Sequence, residues 1–552
     1  MKAFKYIFGT VSALMFGIIA VTSCTDANDW ETDSSHDRLF APTGDISVTS
    51  YDTYAEISFK KVPGATAYQI EMNTDTLSND NMEVSENSIA GIYETNNVTI
   101  DNLYGETNYY LRVRSLSDEK LSNWIYYSTG SGRGYFKTKA EQLFNPVTKA
   151  DVFDNAIHVT WLADSDVDRL AILKGDEEVQ SVDIDDALRA NAEYTFNDLN
   201  PTTTYIIEIY KGISRRGQLK VTTASAPPAA SYVYELPVGE TRIGNELLKE
   251  IAELAKAEAG SETNYSYSAT IVIPADAEIE IYTEGESGAS NVTIPDGMSI
   301  SFFGNSGGET PTLKLVKNFD IEGSHTFVTF QNVNIEEAGA GYFINQSKTS
   351  TVGTFTVQDC EVSGMKTAFF RLQGSNGITI NQLTLDNSIF HDMCNGYSFI
   401  HVDAGSGKGV VENVKIHNCT LYNVATGGKM FIYSKSTDME SIEIDYLTMY
   451  NSIGNNNYLI DFGDDSHGAE TFMISNSIFA KTPDEVTKNI RAKIAPIFMN
   501  TFTTTDFYKT LAGAEQFSGT AADLFKDPEN ADFTLKTTSI QAGDQRWIPE
   551  ED

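Results

Sequence analysis

Between about residues 305 and 476, short β-branched apolar runs alternate with Asn, Gly and Ser at a regular spacing, with no helical period between them. Aligning these runs places Asn or Asp in one column, with steps of 27, 27, 28, 31, 33 and 25 residues. A repeat of this length predicts a solenoid or propeller, and its short strands favour a right-handed parallel β-helix with one coil per repeat. The column consists of Asn305, Asn332, Asp359, Asn387, Asn418, Asn451 and Asn476.

The column is best explained as a structural device. Asn and Asp tolerate left-handed backbone angles at a corner, and stacked Asn side chains can hydrogen-bond to one another along the axis. We therefore interpret the column as a fold-holding ladder and not as an active site. Asn305 is its weakest member, because Ser306-Gly307-Gly308 does not continue as a strand.

Upstream of the repeats, the pattern changes to short alternating strands that predict two β-sandwich modules, at 40–139 and 140–225. Leu103-Tyr-Gly-Glu-Thr-Asn-Tyr109 and Leu199-Asn-Pro-Thr-Thr-Thr-Tyr205 resemble the fibronectin type III signature L-x-P-x-T-x-Y, with Gly105 replacing proline in the first copy. The resemblance implies that each tyrosine hydroxyl ties a corner to nearby backbone. In series, the modules look like a spacer.

The remainder, 226–552, is predicted to be the β-helix. Its first part carries Leu247, Leu248, Ile251, Leu254 and Ala255 at helical spacing, which predicts an N-terminal capping helix at 245–259. A solenoid needs such a plug because an open end exposes apolar side chains and unpaired strand edges. Beyond the repeats, 521–547 is expected to form a C-terminal cap. The predicted fold is thus all-β, with two sandwiches ahead of the β-helix.

The N-terminus has the pattern of an export signal: Lys2 and Lys5, an apolar run from Tyr6 to Val21, and then Thr22-Ser23-Cys24. This ending resembles a bacterial lipobox, which implies a signal peptide at 1–23 and lipidation of Cys24; an uncleaved anchor is the alternative. The acidic stretch 24–39 resembles the tether of Bacteroidetes lipoproteins at the outer face of the outer membrane, although a plain linker would look the same.

The net charge limits the expected binding partners, and the spacing of the cysteines indicates whether disulfides can form. The net charge of −38 becomes about −40 once the two signal lysines are removed, so nucleic acid and anionic lipid are poor partners. Cys360 and Cys419 lie two coils apart, roughly 9.6 Å, which exceeds the ~7 Å limit for a disulfide. We expect these and Cys394 to be free, mostly buried thiols.

Candidate chemistry lies on a second strand of each coil, at 368–373, 398–403, 430–435 and 459–463. Stacking these strands predicts one outward column of Arg371, His401, Tyr433 and Asp461, and a neighbouring one of Gln373, Asp403 and Lys435. Nearby loops add Asp464, Asp465 and His467. Aromatic, cationic and carboxylate groups of this kind recognise sugars, so all seven column residues are candidate ligand-binding residues.

An enzymatic hypothesis remains open at this stage. A β-helix lyase would need a base and an enolate-stabilising group, for which Arg371, His401 and Asp461 are the candidates, and a hydrolase would need two opposed carboxylates. We assign no catalytic residue and no cofactor; if Ca²⁺ binds, Asp461, Asp464 and Asp465 are its candidate ligands. The motif set of polygalacturonase-type β-helices is absent.

The arrangement resembles Bacteroidetes surface lipoproteins with fibronectin-like modules ahead of a pectate-lyase-like β-helix, from domains of unknown function in glycan-utilisation systems. The resemblance implies a non-catalytic polysaccharide-binding lipoprotein, with a pectin-like glycan among the candidate ligands and other glycan-uptake proteins as further partners. The alternatives are a β-helix lyase or hydrolase, and a structural or adhesive surface protein.

Overall fold

The computed structural model describes residues 38–75, 89–117, 120–130, 132–260, 267–283, 291–373, 377–403, 409–485 and 488–549. The predicted signal peptide, Cys24 and nearly all of the acidic tether lie outside these ranges. Strand accounts for 48% of the chain and helix for 7%, which confirms the all-β prediction. The described residues form two compact units, one up to 142 together with 210–217, the other 143–209 together with 218 onward. No helix within them is long and apolar enough to cross a membrane.

The first sandwich has a three-stranded and a five-stranded antiparallel sheet. Its tyrosine corner is confirmed, since the Tyr109 hydroxyl accepts a hydrogen bond from the Tyr104 N–H at 2.9 Å. The strands are Ser47–Ser50, Ala55–Ser58 and Asn97–Ile100 in one sheet, and Ala67–Asn73, Ile89–Tyr93, Asn108–Leu116, Ile125–Tyr126 and Tyr135–Lys137 in the other.

The second sandwich repeats this plan with two and four strands. The Tyr205 hydroxyl accepts from the Asn200 N–H at 3.0 Å, and Trp161 lies in the core at 2% exposure. Its elements are the strands Ile157–Thr160, Arg169–Lys174, Glu177–Asp183, Glu193–Phe196, Thr204–Lys211 and Ser214–Thr222, the 3-10 helix Lys149–Asp151 and the helix Asp186–Asn191.

The predicted capping helix is confirmed at Asn245–Glu258. It starts after extended Gly244 and is followed by left-handed Gly260, the asymmetry expected of helix ends. Leu248, Ile251 and Ala255 lie on one face and are fully buried. This face packs against the first coils and covers the apolar end of the solenoid.

The solenoid has about 8 turns, and each coil contributes strands to three parallel columns. The first column contains Tyr232–Glu235, Tyr267–Ile273, Met298–Gly304, Gly323–Gln331, Ser350–Gln358, Ile378–Asp386, the starts of Val410–Val424 and Met439–Tyr450, Ala469–Ser475 and Ile497–Met499. The second contains Arg242–Ile243, Glu278–Ile281, Thr312–Leu315, Asn334–Glu337, Glu361–Ser363, Ile389–Met393, the ends of the same two long strands, Ile478–Ala480, Phe502–Thr503 and Glu515–Gln516.

The third column is a separate eight-stranded sheet with one strand from each coil. Its strands are Asn291–Ile294, Asn318–Ile321, Tyr342–Gln346, Ala368–Leu372, Ile400–Val402, Ile432–Ser434, Ile460–Asp461 and Ile490–Arg491. Inward residues of all three columns fill one core, in which fully buried phenylalanines such as Phe330, Phe343 and Phe369 contact one another along the axis.

The Asn ladder exists, but two of its predicted members are wrong. Members from Asn332 onward have left-handed backbone angles, and Asn387 donates to Asp359 at 2.6 Å while Asn418 donates to Asn387 at 2.8 Å. After Asn418 the ladder position is Tyr446, which is also left-handed at φ 53°.

Asn451 belongs instead to a second ladder one corner later, where it donates to Asn423 at 2.7 Å and Asn423 donates to Asp392 at 2.9 Å. With Tyr446 in place, the steps become a more even 28 and 30 residues. At the other end, Asn305 is not a member: the Asn332 amide donates to the carbonyl oxygen of Gly304, which has no side chain to continue the ladder.

The thiol prediction is confirmed for the described cysteines: Cys360, Cys394 and Cys419 are free and buried. Burial raises the pKa of the Cys360 thiol to about 12 and raises the other two as well. These thiols therefore act as small apolar core groups.

The C-terminal segment, residues 521–549, runs along the outer side of the second column. It contains the helix Ala521–Leu524, the strands Phe525–Asp527 and Asp532–Leu535, and the 3-10 helices Pro528–Asn530 and Gln545–Trp547. Phe533 and its neighbours form a second apolar cluster with Tyr450 and Ile478 of the coils. The fully buried Asp544 accepts hydrogen bonds from Thr420 Oγ1 at 2.7 Å and Arg546 Nε at 2.9 Å, so a polar contact fixes this segment to the solenoid.

Candidate functional site

The predicted polar column forms on the third sheet. Strand register pairs Arg371 with His401, His401 with Tyr433, and Tyr433 with Asp461. The register continues beyond the prediction, to Asn345 on one side and Arg491 on the other. We name these six residues the site strip; its five steps span roughly 24 Å at the strand spacing.

Arg371 is the centre of the first half of the strip. Its guanidinium forms a salt bridge to Asp403 at 2.9 Å, donates to Gln373 Oε1 at 2.7 Å and lies 3.9 Å from the centre of the Tyr397 ring. Arg371, Gln373 and Asp403 therefore form one hydrogen-bonded group, and the Tyr397 ring packs against the guanidinium.

His401 lies in the predicted outward column but is only 8% exposed. It lies between Tyr397, edge-on at 4.8 Å, and Tyr433, stacked at 4.8 Å. Its Nδ1 accepts from the Ser398 N–H at 3.4 Å, which leaves the proton on Nε2 to donate to Asp403 at 3.1 Å. Burial, opposed by Asp403 and reinforced by Arg371, lowers the pKa of His401 to about 4, so the imidazole is neutral near pH 7.

Asp461 is also buried, at 4% exposure, because Arg491 covers it. The guanidinium binds both carboxylate oxygens, at 2.8 and 2.9 Å, and the Gly463 N–H donates to Oδ1 at 2.7 Å. Arg491 in turn lies 4.5 Å from the centre of the Tyr458 ring. This half of the strip repeats the design of the first: an arginine between a carboxylate and a tyrosine.

The remaining predicted residues lie at the margin of the strip. Lys435 is exposed, and Asp464 is held by the Ser466 N–H and by His467 in a surface turn. Those bonds lower the pKa of Asp464 to about 2. The described residues contain no group of three or more His, Cys, Asp or Glu side chains that could hold a metal ion, and the Asp461 carboxylate is already bound by Arg491.

Five residues of the site were not predicted: Tyr342, Asn345, Tyr397, Tyr458 and Arg491. Tyr342 lies 6.4 Å from Tyr397, ring centre to ring centre, and extends the aromatic surface to a coil two before that of Tyr397. A sequence signal existed, since each of the three tyrosines follows Gly or Asn directly at, or just before, the start of a third-column strand. Arg491 was missed because its strand is short and lies beyond the last recognisable repeat.

The arrangement presents tyrosine rings and fixed guanidinium groups along one face. Each candidate catalytic group already has a protein partner. Arg371 binds Asp403, the ring nitrogens of His401 contact Ser398 and Asp403, and Asp461 binds Arg491. Such a surface can stack against sugar rings and donate hydrogen bonds to hydroxyl or carboxylate oxygens. The guanidinium of Arg371 has no lone pair for a general base, the Nδ1 lone pair of His401 already accepts the Ser398 N–H, and Arg491 binds both oxygens of Asp461.

Known proteins were compared with the chain at the level of family models, curated proteins and solved structures. Residues 442–547 match the model of a domain of unknown function (DUF5123). This stretch holds the last coils and most of the C-terminal segment, with Asp461 and Arg491 but without Arg371, His401 or Tyr433. No curated protein matches the chain.

Among solved structures, a two fibronectin type-III domain segment from chicken tenascin is similar at 16% identity and a TM-score of 0.22, covering 34% of this chain and 99% of that one. The N-terminal modules have fibronectin-like features of their own, namely their paired antiparallel sheets and their tyrosine corners.

Proposed function

We propose that this chain is a non-catalytic polysaccharide-binding lipoprotein, anchored in the outer membrane through Cys24 and exposed at the cell surface. The glycan lies along the site strip, in a glycan-utilisation system with other uptake proteins as further partners. The observation that carries the proposal is the continuous aromatic and guanidinium surface of the third sheet, in which Arg371 stacks on Tyr397 and His401 stacks on Tyr433.

The rigidity of the strip supports binding. Its side chains are held by salt bridges and by stacking before any ligand arrives, so little rotamer entropy is lost on binding. Their register repeats at the strand spacing, which suits a ligand that is itself a repeating polymer. The engagement of Arg371, His401 and Asp461 with protein partners favours this function over the lyase or hydrolase alternative.

The test is a panel of immobilised polysaccharides presented to the chain from residue 25 onward, with and without Ca²⁺. Retention and the absorbance of unsaturated uronates are followed together. We expect retention without product, and a loss of at least tenfold in the Arg371→Ala/Tyr433→Ala variant, since each lost stacking or charge-assisted contact contributes about 1 kcal/mol or more.

The chain offers a matched control. Arg242 lies 4.8 Å from the Tyr282 ring on another part of the solenoid, so Arg242→Ala/Tyr282→Ala removes the same two residue types elsewhere. This control should retain the polysaccharide like the parent chain. Product formation would establish the lyase instead, and equal loss in both double variants would remove the strip from the proposal.

A further inference from the structure

A cavity separate from the site strip lies within the larger compact unit, where the second sandwich meets the first full coils of the solenoid. Its volume is about 430 Å³, within the range of small-ligand sites. The sandwich contributes residues 147–149, 152, 220–222 and 224, and the solenoid contributes 305–308, 310 and 332. We name it the module cleft. It shares no residue with the site strip.

The floor of the module cleft is the Ser306-Gly307-Gly308 loop, which the repeat pattern singled out as irregular. Gly307 has φ +87°, and the Phe153 ring packs so closely that a Cβ there would lie 2.3 Å from it. Within the described residues, the backbone N–H groups of Gly307 and Gly308 have no hydrogen-bond acceptor. Successive free N–H groups around a left-handed residue are a common way of binding an oxyanion.

The charge of the cleft agrees with its backbone chemistry. Lys149 and Lys220 are both among the lining residues, whereas no Asp or Glu is. Lys149 is 3.5 Å from Glu309, but both side chains are largely exposed, so the pair is weak. Asp276 Oδ1 accepts the Glu309 N–H at 2.8 Å, and its Oδ2 lies against Gly308, 2.5 Å from where a Cβ would stand. In a protein of net charge −38, both charged lining residues of the cleft are nevertheless cations.

The remaining lining groups define the body of the ligand. Asn332 is the first member of the Asn ladder; its amide nitrogen is used by Gly304, and no described residue donates to its Oδ1. Ser306 and Thr310 add hydroxyls, while Val152 and Val221 provide apolar wall. Polar groups opposite an apolar wall suit a hydroxylated ring whose C–H face is apolar.

We propose that the module cleft binds a small hydroxylated carboxylic acid of the size of one or two sugar rings. The carboxylate is bound by the Gly307 and Gly308 N–H groups with Lys149 and Lys220, and the ring lies against the valines. This site is separate from the site strip and does not depend on the function proposed for it.

The test is a calorimetric titration of the full chain in detergent with glucuronate, glucose and inorganic sulfate. Glucuronate should bind, while glucose, which lacks the carboxylate, and sulfate, which lacks the ring, should each bind at least tenfold more weakly. Lys149→Gln/Lys220→Gln should weaken glucuronate binding tenfold or more, as expected for lost charge-assisted hydrogen bonds.

The matched control is Lys174→Gln/Lys249→Gln, which removes two exposed lysines of the same unit outside the cleft and should leave glucuronate binding unchanged. The Arg371→Ala/Tyr433→Ala variant should also bind glucuronate normally, so failure of the cleft and failure of the strip give different results. Absence of glucuronate binding, equal weakening in both lysine variants, or sulfate binding as tight as glucuronate would overturn the proposal.

Discussion

The Asp461–Arg491 pair yields the most quantitative prediction, because its two sides differ in burial. The Asp461 side chain is 6% exposed and the Arg491 side chain 34%. Removing the arginine leaves a buried carboxylate with only the Gly463 N–H as partner. Removing the carboxylate leaves a cation that can reach water and still lies over Tyr458. Arg491→Ala should therefore destabilise the solenoid more than Asp461→Asn.

The magnitudes follow from this asymmetry. Removing one partner of a buried salt bridge lowers the free energy of unfolding by about 3–5 kcal/mol. Because the Gly463 hydrogen bond survives and Arg491 is partly exposed, we expect Arg491→Ala to fall at the lower end, near 3 kcal/mol. Asp461→Asn keeps an oxygen for Gly463 and loses only charge-assisted bonds to an accessible cation, so we expect about 1 kcal/mol. The double variant should cost less than the two single losses summed.

Urea unfolding of the chain, read by hydrogen exchange on peptides from 460–491, separates these coils from the sandwiches. A smaller loss for Arg491→Ala than for Asp461→Asn, or losses that simply add in the double variant, would refute the claim that Asp461 is a buried charge neutralised by Arg491. Either result would also mean that the Asp461 carboxylate is available to bind a ligand or Ca²⁺.

Three further predictions concern the corners and the core. Asn387→Ala should destabilise the solenoid by about 1–3 kcal/mol, because two ladder hydrogen bonds are lost and alanine is strained at the left-handed φ of 43°. Asn387→Gly loses the same hydrogen bonds without the backbone strain and should be less destabilised. The difference between the urea midpoints of the two variants measures the cost of the strain. Burial alone would lower the pKa of His391, but hydrogen bonds to Glu361 and Asp392 outweigh it and raise the pKa. The stability that His391 contributes is then full below about pH 6.5 and declines as pH rises through the folded pKa, and His391→Gln should flatten that decline in thermal melts between pH 6 and 8. Cys360, Cys394 and Cys419 should resist iodoacetamide at pH 7.5 until the chain unfolds, which mass spectrometry would show; labelling of the folded chain would contradict their burial.

The fold class can be predicted from the sequence alone, because each relevant signal is local. A coil must return to the same axial position after one turn, so its corner residues and inward apolar positions recur along the chain where they can be read. The tyrosine corners, the capping helix at Asn245–Glu258 and the in-register column from Arg371 to Asp461 follow from such periodic or short-range rules.

The ladder shows where periodicity stops being sufficient. Each coil has two corners that both take Asn, and a sequence alignment cannot tell which corner an Asn occupies when coil length varies. Tyr446 adopts the left-handed conformation because the stacked strands on either side constrain that backbone. Asn451 was assigned to the wrong ladder because the varying coil length hides which corner it occupies.

The burial, hydrogen bonding and charge of the site residues depend on contacts between distant parts of the chain. The order of residues predicts that Arg371, His401 and Asp461 lie in one column, but not that Tyr397 covers Arg371, that both nitrogens of His401 are occupied, or that Arg491 neutralises Asp461. The module cleft likewise requires two segments far apart in sequence, around Lys149 and Gly307, to meet. Hydrogen bonding, burial and charge depend on which distant residues become neighbours, and the pattern along a single strand does not contain that information.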